Sequence, residues 1–146
     1  MERQKFSIRI DAPREKVWKA LWEDANYRAW TAAFSEGSYA KSDWKKGSKV
    51  YFLNSNEEGM VAEIADVRPN EYMSFRHLGE VKGELEDTMS ERIQAWAGAM
   101  ENYTLKTVDG KTELVVDMDL TEDMKDYFEK TWPKALDKLK ELAEKN

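Results

Sequence analysis

Gln4-Lys5-Phe6-Ser7-Ile8-Arg9-Ile10-Asp11-Ala12-Pro13-Arg14-Glu15-Lys16-Val17-Trp18-Lys19-Ala20-Leu21-Trp22 changes its period halfway, and that change decides the fold. Phe6, Ile8 and Ile10 alternate with Lys5, Ser7 and Arg9, the period-two pattern of a half-buried strand. From Val17 the apolar positions recur at helical spacing through Ala20 and Leu21, with Trp18 and Trp22 on the flanks. Asp11 is placed to cap the new helix, and Pro13 is tolerated in its first turn because the missing N–H has no intrahelical partner there. A second capped turn, Asp24 to Trp30, predicts another short helix.

Working outward, the middle of the chain reads as strands. Ser48 to Leu53 and Met60 to Val67 flank the polar turn Asn54-Ser55-Asn56-Glu57-Glu58-Gly59, and Pro69-Asn70 separates the second run from Tyr72 to Leu78. A weaker strand is expected between Gly37 and Asp43. Glu101 to Val108 and Thr112 to Leu120 flank Asp109-Gly110, a two-residue hairpin signal. From Glu122 the period turns helical again, through Met124, Phe128, Trp132, Leu136, Leu139 and Leu142. Pro133 predicts a kink near Glu129, or a fresh helix capped by Thr131. Strand, two short helices, about six antiparallel strands and a long final helix make an α+β chain. A curved sheet gripping one long helix is expected to leave interior space between the layers.

Composition narrows the function classes. The chain has 146 residues, 36% of them charged, with a net charge of −6. That length is expected to form one domain, residues 1–146, and no linker or repeat interrupts it. The longest uncharged run, Ile93 to Met100, is too short for a bilayer, and Met1-Glu2-Arg3-Gln4-Lys5 does not open a signal peptide. Zero Cys removes disulfides and thiolate chemistry, and one His removes a His-cluster metal site. The acidic balance argues against nucleic acid or anionic lipid as a partner. Gly residues never form a phosphate loop, so no cofactor is expected. A cytoplasmic protein without a membrane partner is the expectation.

The run Ile10 to Leu21 resembles the opening of the START-like (SRPBCC, Bet v 1-like) helix-grip superfamily, within it the homologues of the heat-shock protein 90 ATPase activator. Further landmarks agree: Trp30, Lys46-Gly47, the run Ala65-Asp66-Val67-Arg68-Pro69-Asn70-Glu71-Tyr72-Met73-Ser74-Phe75, and Trp132-Pro133-Lys134-Ala135-Leu136-Asp137-Lys138-Leu139-Lys140. The resemblance implies a helix-grip fold with a cavity between sheet and final helix, and carries no catalytic motif onto these positions.

Ligand-binding candidates follow from strand faces. Trp30, Phe34, Phe52, Phe75, Trp96, Tyr103, Phe128 and Trp132 are the aromatics expected near the cavity, although most aromatics of such a domain serve as core. His77 shares a face with Met73 and Phe75 and is a hydrogen-bonding or acid/base candidate, the plainer reading being a strand-end histidine near the surface. Glu101 shares a face with Tyr103 and Leu105, where a carboxylate is costly unless paired; solvent at the strand start is the simpler expectation. Gly79 to Met100 reads as a 22-residue connection. Two helical turns inside it, capped by Asp87 or Thr88, would carry Ile93 and Trp96, either as a lid hinged at Ala97-Gly98-Ala99 or as a permanently packed connection. Asp117 and Asp119 point away from Val116 and Met118 and read as solvated charge. Three functions are in view. Foremost is non-enzymatic binding of a small hydrophobic molecule; second is a protein-interaction module that docks a chaperone or other protein; third is a polyketide-cyclase-type enzyme using His77 or a carboxylate.

Overall fold

The computed structural model describes residues 1–145. Strand β1 (Glu2–Ile10) leads into α1 (Arg14–Trp22) and α2 (Asp24–Thr31), then β2 (Tyr39–Lys41), β3 (Lys49–Leu53), β4 (Glu58–Arg68) and β5 (Tyr72–Lys82). A small excursion, β6 (Leu85–Asp87) and α3 (Glu91–Gln94), precedes β7 (Met100–Val108), β8 (Lys111–Leu120) and α4 (Glu122–Glu144). The architecture is α+β. One antiparallel sheet of eight strands runs β1-β8-β7-β5-β4-β3-β2, with β6 paired to β5 beside that path. Its inner face is covered by α4, with α1 and α2 packed against the same helix.

The period change at the start is realised as expected, with one local correction. Asp11 does not cap α1: Pro13 occupies the N-cap, its carbonyl accepting from Lys16 and Val17. The Asp11 N–H donates instead to the Glu144 carboxylate at the far end of α4, 2.8 Å away, tying the first turn to the last. Thr112 Oγ1 donates to the Ala12 carbonyl at 2.7 Å and fastens the same corner to β8.

Asp109 and Gly110 both take positive φ (52° and 78°), the left-handed pair that a two-residue hairpin with right-twisted strands requires. The final helix corrects a second expectation. It runs unbroken from Glu122 to Glu144 with Pro133 inside it, and Thr131 does not cap a new helix. The Thr131 hydroxyl bonds back to the Tyr127 carbonyl one turn earlier. Trp132, Ala135, Leu136, Leu139 and Ala143 bury the stripe that holds the helix on the sheet.

The connection after β5 is shorter than the sequence suggests. β5 continues to Lys82, and register shifts between Val61/Ala62 and Ile64/Asp66 mark bulges in its pairing with β4. Val61 pairs with Gly79 and Ala62 with His77, so Leu78 is the extra residue. Beyond it the side chains change faces. Met73, Phe75 and His77 belong to the inner face, whereas Val81 joins Leu53 and Val61 in a small apolar cluster on the outer one. Gly79 is needed where it stands, because a Cβ would lie 2.1 Å from the Asp87 carbonyl oxygen of β6.

Candidate functional site

Between the inner sheet face and α4 the chain places aromatic rings in mutual contact. Trp30 from α2 and Trp132 from α4 are 1% and 2% exposed, with ring centroids 5.9 Å apart. Tyr103 of β7 lies 6.1 Å from Trp132, and Phe75 of β5 lies 6.1 Å from Tyr103. Trp22 closes the group from the end of α1, at 4.9 Å from Tyr103 and 5.5 Å from Phe75. These edge-to-face and tilted spacings are those of packed aromatic pairs. Two of the three indole donors are used locally: Trp30 Nε1 donates to the Leu21 carbonyl at 3.0 Å, and Trp132 Nε1 contacts Met118 Sδ at 3.1 Å, whereas Trp22 Nε1 is buried without a partner. The interior space expected from the helix-grip geometry is therefore taken, at its centre, by the protein's own rings.

The other candidates are distributed around this group. Phe34 and Phe128, both half-buried, meet at a tilt with centroids 5.9 Å apart near the start of α4, and Phe34 also meets Trp132 at 4.9 Å. Phe52 of β3 bridges Phe75 (5.1 Å) and His77 (5.9 Å). Ile93 is fully buried on α3, while Trp96, just after it, is half-buried. Eight of the ten candidates thus form a chain of ring contacts, and Ile93 and Trp96 stand on the excursion at its edge.

At that edge lies a polar cluster. His77 Nε2 is 3.0 Å from Glu101 Oε1, and the Tyr103 hydroxyl donates to Glu101 Oε2. Antiparallel pairing of β5 with β7 brings them together, since Phe75 is opposite Glu101 and the His77 N–H donates to the Ala99 carbonyl. Glu101 is therefore paired inside the fold rather than solvated at a strand start. Burial, and secondarily the Glu101 carboxylate, push the Tyr103 hydroxyl well above its ordinary range, so it remains a donor. Tyr27 is shifted the same way, again by burial first and Glu101 second. His77 is only 7% exposed, and its Nδ1 is buried without a hydrogen-bond partner. In the tautomer with hydrogen on Nε2, His77 donates to Glu101 and presents Nδ1 as a spare acceptor. The cluster can orient a donor-bearing group at His77 Nδ1. The apolar strand face of each residue was legible, His77 with Met73 and Phe75 and Glu101 with Tyr103 and Leu105, but their pairing depended on the β5–β7 register and was not.

Two hollows open elsewhere. One, of about 520 Å³, lies against Arg14, Arg68, Glu71 and Lys106 at the sheet end. The other, of about 330 Å³, is lined by Trp18, Trp22, Trp44, Val67, Pro69 and Met73. Among the described residues no group of three or more His, Cys, Asp or Glu converges to hold a metal ion, and no helix is long and apolar enough to cross a membrane.

Residues 11–144 match the family described as activator of Hsp90 ATPase homolog 1-like protein. No curated sequence matches the chain. Among solved structures, the Aha1 dimer from Colwellia psychrerythraea is similar over 99% of this chain and 97% of its own, at 21% identity and a TM-score of 0.73. A protein from Mesorhizobium loti is similar over 97% and 96%, at 17% identity and a TM-score of 0.73. CalU16 from Micromonospora echinospora is similar over 97% of this chain and 76% of its own, at 18% identity and a TM-score of 0.67. At these identities the likeness is one of fold.

Proposed function

The chain belongs to the activator of Hsp90 ATPase homolog 1-like family, and from that premise we propose that it acts by binding, without catalysing a reaction, as a docking module for a chaperone-class protein. The whole chain, residues 1–146 as one domain, is the module, and a cytoplasmic setting belongs to the same proposal. The observation that carries it is the filled interior. Trp30, Phe75, Tyr103 and Trp132 occupy the place where a carrier keeps its guest. Surplus apolar surface lies outside instead: Leu85 of β6 is 78% exposed and Met89, just before α3, is 81% exposed. Exposed apolar side chains four positions apart on the connection between β5 and β7 suit a protein contact. The test is calorimetric titration against an Hsp90-type chaperone from the same source, alongside the chaperone's ATPase rate. A saturable complex, lost when Leu85→Asp and Met89→Asp are combined in a variant that still folds, is expected. No complex, or one indifferent to the double substitution, removes the reading.

The unpartnered Nδ1 of His77 favours a second reading. Here a small, mostly hydrophobic molecule enters between sheet and α4, its donor-bearing head on His77 and its body among Phe52, Phe75, Tyr103 and Trp96. Trp30, Phe34, Phe128, Trp132 and Ile93 would complete the contact, and the rings must part to admit it. Native mass spectrometry of protein purified from its source distinguishes the two. A co-purifying compound that is lost in His77→Ala supports the carrier; bare protein that still binds the chaperone supports the docking module.

A further inference from the structure

The hollow beside α1 is unlike anything in the interior, and neither function above uses it. Trp18 and Trp22 reach it from one helix, Trp44 from the β2–β3 connection, Val67 from the end of β4, Pro69 from the turn after it and Met73 from the start of β5. We propose that this side hollow binds a compact, uncharged aromatic compound.

Three observations support that ligand class. First, the walls are indoles and aliphatic groups, and the two charged residues that complete the lining, Lys19 and Glu23, are of opposite sign. A net charge on the ligand gains nothing from such a rim, whereas an apolar ring gains contact with every wall. Second, about 330 Å³ lies at the low end of small-molecule pockets and suits one or two rings better than a chain segment. Third, Trp44 is held in the left-handed region, at φ 62°, a conformation that side chains with a Cβ rarely adopt. The Ser42 hydroxyl accepts from the Trp44 N–H at 3.0 Å and donates to the Lys49 carbonyl at 2.9 Å, which fixes the strained residue to β3. Strain of this kind persists where the placing of the side chain matters. What it places here is an indole 5.5 Å from Trp22, the ring that also packs on Phe75 and Tyr103. Trp18 stands edge-on to the same ring, at 6.1 Å and 74°. A flat guest can meet one indole by stacking and another by its edge.

Coumarin, a flat two-ring neutral compound, serves as the probe, and the indole N–H resonances of the six tryptophans serve as the readout. Trp22 is a sharp reporter because its Nε1 is buried without a partner in the protein. Saturable shifts of Trp18, Trp22 and Trp44, with Trp30 and Trp132 unmoved, are expected. Trp44→Gly, which accepts the left-handed backbone, should weaken binding by about tenfold while leaving the Trp30 and Trp132 resonances in place. Trp18→Ala should do the same if Trp44→Gly does not fold. A charged analogue, coumarin-3-carboxylate, should bind at least about tenfold more weakly, in keeping with the cost of desolvating an unpaired carboxylate. Shifts centred on Trp30 and Trp132, an affinity indifferent to both substitutions, equal binding of the carboxylate, or no saturation would each overturn the site.

Discussion

The interior under α4 and the excursion between β5 and β7 use apolar side chains in opposite ways. Inside, Trp30, Trp132, Phe75 and Tyr103 are spent on one another, and little of any of them meets water. On the excursion, Leu85 and Met89 are left without cover, while Ile93 alone is fully inserted. Besides Ile93 and the pairing of β6 with β5, polar bonds hold that segment in place. Asp87 Oδ1 accepts from the Met89 and Ser90 N–H groups, and Arg92 grips Glu80 of β5 in a two-pronged bond of 2.7 and 3.0 Å. Rings fill the interior, whereas the excursion leaves Leu85 and Met89 uncovered.

The largest effect should come from opening the interior. Trp132→Ala is expected to cost about 3–5 kcal/mol, read as a drop in denaturation midpoint. The void it leaves should accept benzene, with a rise in melting temperature that the unsubstituted protein does not show. If Trp132→Ala unfolds no more easily than an exposed substitution, the rings are not the packed centre described.

Next comes the polar cluster at the boundary of the two regions. Glu101→Leu leaves the Tyr103 hydroxyl and His77 Nε2 without their acceptor, at a cost of roughly 1–3 kcal/mol by chemical denaturation. An unchanged midpoint would show that water reaches the cluster and satisfies both groups.

A smaller effect is expected on the outer sheet face. Burial pushes the Asp119 carboxyl up, but bonds from Arg3 and from the Met100 N–H outweigh it and hold the group below its ordinary value. A carboxyl lowered on folding stabilises above its unfolded pKa and loses that contribution as pH falls through the folded one. The stability gap between the native chain and Asp119→Asn should therefore be complete at neutral pH and close below about pH 4. With Arg3 half exposed it should stay under about 1 kcal/mol. A gap that widens in acid would reverse the sign argued here. Smallest of all, Leu85→Asp with Met89→Asp should move stability by no more than about 0.5 kcal/mol per site, because neither side chain is packed. A large loss would mean that the excursion is part of the core after all.

Much of this was legible in the residues because local chemistry and tertiary packing agree. Phe6, Ile8 and Ile10 alternate and lie on the inner side, Asp109-Gly110 turns as that dipeptide does, and the stripe from Trp132 to Leu139 is buried. The illegible parts depend on long-range pairing. An extra residue at Leu78 switches the faces of β5, which hid its last residues and β6 from any alternation pattern. Asp11 looked like a cap because Glu144, its actual partner, is 133 positions away. Pro133 looked like a break, but the helix around it is held by buried contacts that the proline does not disturb. His77 and Glu101 were each visible on an apolar strand face but were expected near solvent, while the bond that buries them needed the β5–β7 register. Trp44 carried no signal at all, since only coordinates reveal a left-handed tryptophan.

Diffraction from crystals pressurised with xenon measures directly whether rings fill the space between sheet and α4. An absence of xenon among Trp30, Phe75, Tyr103 and Trp132 is the expected result, with a site at that position appearing in Trp132→Ala. A well-occupied xenon atom there in the unsubstituted protein would contradict the filled interior, and with it the preference for docking over carriage.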